Sequence, residues 1–231
     1  MKRIFSGDHI YRNLTIALAL LFVSSPILDS LSGSGKIDSY LIAAFLVFAL
    51  FQITRRHSDL VVGLVLGIPA VAGGIVNAVT PDTPAINAFP VFCGALFLGF
   101  FVWRIFADIF GGNRITSEQI FGSVCAYLLI GLVFSSLYGF LFLVNRDAFV
   151  FSDALLNHLI IAHEDQNFGI FTYFSFVTMT SLGYGDMAPI SEMARTLAWV
   201  QAVIGQLYLA ITVAALVGLH IAKDQRSGFE A

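Results

Sequence analysis

Charge is scarce in this chain. Of its 231 residues only 12% are Asp, Glu, Lys or Arg, against 58% hydrophobic ones, and the mean hydropathy is +0.85. That leaves too little polar surface to coat a water-soluble globule, so with 23 Phe much of the outer face must meet lipid. The net charge of -3 is scattered, which argues against a nucleic-acid partner. Cysteine is nearly absent. Cys93 and Cys125 both fall inside apolar runs, where they read as small buried hydrophobes rather than a disulfide or half of a metal site. Neither one reveals the redox compartment. Internal repeats and low-complexity tracts are missing too. The long apolar runs contain almost no polar side chains, which speaks against a membrane enzyme, since catalysis would need several to converge.

What is present is a series of long apolar runs. A spanning helix needs about 20 mostly apolar residues, and such runs cover 14–31, 39–54, 60–80, 86–110, 118–144 and 194–222, with a shorter apolar piece at 169–180. The expected fold is therefore an all-α membrane protein of six spans and a half-span. The first run follows Lys2, Arg3 and Arg12 like a signal peptide. Its apolar stretch continues through Pro26, Ile27 and Leu28, however, and the cleavage signature is poor, so a retained helix is expected. With a cytoplasmic amino terminus, nine of the twelve basic residues (Lys2, Arg3, Arg12, Arg55, Arg56, Arg104, Arg114, Lys223 and Arg226) lie on the cytoplasmic side. Only Lys36, Arg146 and Arg195 lie on the other. The positive-inside rule then predicts both termini in the cytoplasm of a multi-pass protein of the plasma or bacterial inner membrane.

Residues 111–119, GGNRITSEQ, divide the chain, with Thr116 and Gln119 spaced as a capping box. The expected domains are a four-helix region, 1–110, and a second region, 111–231. The long connection 145–167 carries Ser152, placed to cap a short amphipathic helix, SDALLNHLIIA. It also carries His158, His163, Glu164 and Asp165, which read as a solvated turret or as a cluster that senses pH or gathers cations. His220 reads as an interfacial residue.

The half-span FGIFTYFSFVTMT is too short to cross as a helix and runs directly into SLGYGD. Non-helical backbone at membrane depth is tolerated only where protein buries it or water lines it, which describes a re-entrant loop. Gly183 and Gly185 can take left-handed torsions without a Cβ clash, so successive carbonyls can face one axis. Four such strands would stack rings of oxygen able to replace the water shell of a monovalent cation.

Thr178, Met179, Thr180, Ser181, Leu182, Gly183, Tyr184, Gly185 and Asp186, followed by Pro189, resemble the filter T-x-x-T-V-G-Y-G-D of potassium channels. Residues 169–222 as a whole resemble the pore domain of that family. The likeness is to bacterial members with six spans and one pore loop. It implies an outer helix 118–144, turret 145–167, pore helix 168–180, filter 181–186 and last helix 194–222, assembled as a homotetramer with three identical subunits. It further implies that K+, the permeant ion, is held by the carbonyls of Ser181, Leu182, Gly183 and Tyr184, with the Ser181 hydroxyl completing the innermost position. No cofactor is expected.

Ser181 stands where the family has threonine, and Leu182 where it has valine or isoleucine. Tyr173 and Phe174 stand where many relatives carry two tryptophans. Tyr173 can donate to Asp186 or simply pack, whereas Phe174 can only pack. Val177 replaces a carboxylate found in some bacterial relatives, so no carboxylate pair with Asp186 is expected. Gly205, twenty residues after Gly185, stands at the family's gating hinge, although close packing is the other reading. Gly218 has a weaker claim to either role.

The fourth run offers Arg104 alone, one turn before Asp108. Steep voltage gating takes three to four charges per subunit, so it is not expected, and an i,i+4 pair at the membrane edge is. Only about nine residues follow the last run, too few for a nucleotide- or calcium-binding module. Gating by lipid, tension, pH or a separate regulatory subunit fits that ending. The leading expectation is a potassium-selective channel. A weakly selective cation channel, with Ser181 and Leu182 relaxing the filter, is the alternative. A secondary transporter fits less well, because only one half of the chain has a broken helix.

Overall fold

The computed structural model describes residues 10–32, 44–48, 57–79, 84–110, 117–155 and 168–229. Four long helices come first: α1 (Ile10–Ser32), α2 (His57–Val79), α3 (Pro84–Phe110) and α4 (Ser117–Val144). Residues 44–48 are also helical. A 3-10 turn (Arg146–Ala148) and the strand β1 (Phe149–Phe151) follow, then the short helix α5 (Phe168–Met179), the strand β2 (Met187–Pro189) and the helix α6 (Glu192–Phe229). Among the described residues, Ala88–Ile109, Glu118–Val144 and Glu192–Ala215 are long and apolar enough to cross a membrane. Helix is the form such segments must take, because it satisfies every backbone N–H and C=O within the segment.

Two cores hold the helices together. In the first, Leu14 and Leu18 of α1 meet Phe97, Phe101 and Ile105 of α3 and Cys125, Ala126 and Leu129 of α4. The second is aromatic and joins α4, β1 and α5. Tyr138 packs edge-on to Phe149 and Phe174, and Phe149 does so to Phe171 and Phe174. Each such pair adds roughly 0.5–1.5 kcal/mol beyond the area it buries. Phe174 thus serves as packing. Both cysteines are buried and free.

The two strands depart from the all-helical expectation. β1 and β2 pair antiparallel, with Phe149 opposite Pro189 and Phe151 opposite Met187. Residues 145–151, read from sequence as the start of the turret, therefore form a turn and a strand that grip the segment after GYGD, and residues 153–155 are helical. Three residues are too few to show a strand period, and only the tertiary pairing makes them one. Ser152 follows β1, and its hydroxyl accepts the Leu155 N–H at 3.3 Å, as a helix cap would. The rest of the expected amphipathic helix lies outside the described residues, as do Thr116, His158, His163, Glu164 and Asp165. α6 begins at Glu192, where the Ser191 hydroxyl accepts the Ala194 N–H, and continues past the expected end at 222 to Phe229.

Of the three membrane-length helices among the described residues, α6 is the least covered. Trp199, Val203, Leu207 and Ile211 are all exposed in the single chain. These positions lie on one stripe.

Candidate functional site: the segment after α5

α5 ends in a Schellman motif. The Leu182 N–H donates to the Val177 carbonyl at 2.9 Å and the Ser181 N–H to the Thr178 carbonyl at 3.0 Å, the paired bonds that close a helix through a left-handed residue. That residue is Ser181, with φ 58°. Glycine is usual there, and an L-residue in this region costs about 1–2 kcal/mol. A β-branched threonine would fit worse still, which supplies a local reason for serine at this position. The Thr180 hydroxyl donates back to the Phe176 carbonyl at 2.7 Å.

Beyond Ser181 the backbone alternates. Gly183 (φ 59°) and Gly185 (φ 78°) are left-handed, whereas Leu182 and Tyr184 are not. A Cβ on either glycine would meet nothing within 4 Å, so it is the torsion and not space that requires glycine. Leu182 and Tyr184 are 56% and 66% exposed. In the single chain Tyr184 has one described aromatic neighbour, Tyr173, whose ring is stacked on it at 6.3 Å with planes 4° apart.

Asp186 ties this segment down on three sides. Its Oδ2 accepts the Tyr173 hydroxyl at 2.7 Å and its Oδ1 the Met187 N–H at 3.1 Å. Its carbonyl accepts the Ser152 N–H at 2.8 Å. The segment is thereby fastened to α5 and to the end of β1. Val177 is buried and contributes its carbonyl to the helix end.

α5 itself is held by a buried polar chain that no sequence pattern disclosed. Gln201 of α6 is fully buried; its Nε2 donates to Ser175 Oγ at 2.6 Å and to the Ser175 carbonyl at 3.1 Å. Its Oε1 accepts the Tyr138 hydroxyl at 2.7 Å, and Ser175 Oγ donates to the Gly131 carbonyl at 2.6 Å. α4, α5 and α6 are thus joined by one hydrogen-bonded network. One turn further along α6, Gly205 lies against the end of α5. A Cβ there would overlap the Met179 carbonyl oxygen and come within 2.8 Å of Met179 Cγ. Close packing is therefore an observed role of Gly205. The next residue, Gln206, donates to Ser181 Oγ at 3.1 Å.

Away from this site, Arg104 lies 3.7 Å from Asp108, the i,i+4 partner read from the sequence, and 3.4 Å from Asp59 of α2. Asp59 Oδ2 and Arg104 Nε have no hydrogen-bond partner among the described groups, so the contact to Asp59 is an ion pair only. Of the side chains of α6 beyond residue 215, His220 among them, nothing is described.

Residues 123–220, from α4 to α6, match a family model described as an ion channel. The match supports passive ion conduction by this part of the chain, and such a family is not an enzymatic one. Neither a curated protein nor a solved structure matches the chain.

Proposed function

We propose that four copies of this chain form a potassium-selective pore, with the carbonyls of Ser181, Leu182, Gly183 and Tyr184 replacing the water shell of a dehydrated K+. The observation that carries the proposal is the left-handed torsion at every second residue, Ser181, Gly183 and Gly185. Such alternation lets successive peptide carbonyls face one side. One chain contributes one strand, and a cation needs oxygen from several directions, so the pore requires further copies. The exposed apolar stripe of α6 and the uncovered Leu182 and Tyr184 side chains offer surface for them. K+ is cargo here, and no cofactor takes part. Thr178, Thr180, Gly185, Asp186 and Tyr173 would hold the strand in shape, and Gly205 would keep α6 seated on the end of α5.

The resting orientation is that of a multi-pass protein with cytoplasmic termini and the GYGD segment toward the outer face. With Arg104 the one arginine of α3 and paired to Asp59 and Asp108, steep voltage gating is not part of the proposal. A weakly selective cation pore is the second reading, favoured by the serine hydroxyl, which has no γ-methyl group to restrict its rotation. Purified protein in planar bilayers under opposed K+ and Na+ gradients separates the two. Strong selectivity puts the reversal potential near the K+ equilibrium value, and weak selectivity puts it near zero. A conductance carried equally well by chloride would overturn both readings.

A further inference from the structure

Gln206 stands out on α6. Its exposed neighbours one turn away on the same face, Val203 and Leu209, are apolar, as befits a helix face that meets lipid or another subunit. A carboxamide on such a face is costly unless water or polar groups meet it. Here it meets one: Gln206 Nε2 donates to Ser181 Oγ at 3.1 Å. The contact links residues 25 apart in sequence and falls beside the close approach of Gly205 to the Met179 carbonyl, so α6 cannot slide there without breaking it. Ser181 is the residue whose hydroxyl most needs an external hold. Threonine's χ1 is stiffened by β-branching, whereas serine's is not, and the left-handed backbone at Ser181 disfavours threonine.

We propose that Gln206 is a specificity-determining positioning residue: its carboxamide fixes the rotamer of the Ser181 hydroxyl and thereby sets how tightly the inner end of the ion path holds a cation. The proposal rests on the pore reading above. The serine oxygen has two lone pairs. One receives the Gln206 N–H, and the other is left aimed for the ion, so the amide takes the place of the restriction that threonine's methyl would impose. Gln206 does not touch the ion and acts through Ser181.

The test is a double-mutant cycle on the reconstituted full-length protein, read as block by barium applied from the inner side and as the K+ to Na+ permeability ratio. Gln206→Leu should raise the half-blocking barium concentration about fivefold, the factor that one neutral hydrogen bond commands, and should lower the permeability ratio. Gln206→Asn, one methylene shorter and unable to reach, should do the same and serves where the leucine variant does not assemble. In a Ser181→Ala background neither substitution should move the block further, because the hydroxyl through which Gln206 acts is gone. Unchanged block in both Gln206 variants, or an equal shift with and without the serine hydroxyl, overturns the inference and leaves the pore reading intact. Wild-type protein that passes no cation overturns the pore reading, and this inference with it.

Discussion

Gln201→Leu tests the buried network that seats α5. Leucine fills much of the same volume, so the perturbation is chiefly polar. It strands the Tyr138 hydroxyl, a fully buried donor, and removes two hydrogen bonds from Ser175. Ser175 Oγ keeps its bond to the Gly131 carbonyl, so only the Tyr138 group is orphaned outright. One buried unsatisfied donor costs about 1–3 kcal/mol and each lost neutral bond about 1 kcal/mol. Polar pairs between membrane helices run lower, near 0.6 kcal/mol on average. The expected loss is therefore about 2–4 kcal/mol. Tyr138→Phe alone should cost about 1–2 kcal/mol, since it leaves the Gln201 oxygen without its donor. The double variant should cost no more than Gln201→Leu, because removing both partners leaves no orphan between them. Thermal unfolding in detergent, followed by near-ultraviolet circular dichroism, reads all three. Costs that simply add would refute the reasoning, as would a Gln201→Leu protein as stable as wild type.

Gly205→Val should force α6 away from the Met179 carbonyl and cost about 1–3 kcal/mol or more from overpacking, seen as a lower unfolding temperature and loss of cation flux. Gly185→Ala keeps the space but not the torsion; about 1–2 kcal/mol of strain should distort the strand and abolish ion discrimination in a flux assay, while the unfolding temperature changes little. Tyr173→Phe should leave global stability within about 1 kcal/mol, since the pair to Asp186 is exposed, yet speed amide hydrogen exchange over residues 184–187. Asp59→Leu should destabilise by about 2–4 kcal/mol, because it leaves the Arg104 guanidinium in a mostly buried place with Asp108 as its remaining described carboxylate; denaturant titration measures it.

The helices were legible because lipid imposes one rule, internal satisfaction of the backbone, and long apolar runs such as 118–144 answer it wherever they occur. The glycines of GYGD were equally legible, since torsion needs are local and the residue type states them. Contacts between distant segments were not. Nothing in FVF or MAP marks a strand, and their pairing exists only once the chain returns beside itself. Gln201 and Gln206 look alike in sequence, yet one is fully buried and bonded to Ser175 and Tyr138 while the other is exposed and reaches Ser181. Asp59 gave no sign of its place beside Arg104 either, because ion pairs between helices have no spacing to read. Serine at 181 reads from the sequence as a departure from threonine that relaxes the filter; its left-handed torsion, which no sequence pattern discloses, supplies a local reason for it.

In the proposed pore, residues 181–184 of four chains hold dehydrated cations on a common axis. Crystals grown with rubidium in place of potassium, measured at the rubidium absorption edge, address this directly. A row of anomalous peaks on a four-fold axis, each ringed by carbonyls from among Ser181, Leu182, Gly183 and Tyr184, is the expected result. Peaks elsewhere, or an assembly in which the four segments do not face one axis, would contradict it.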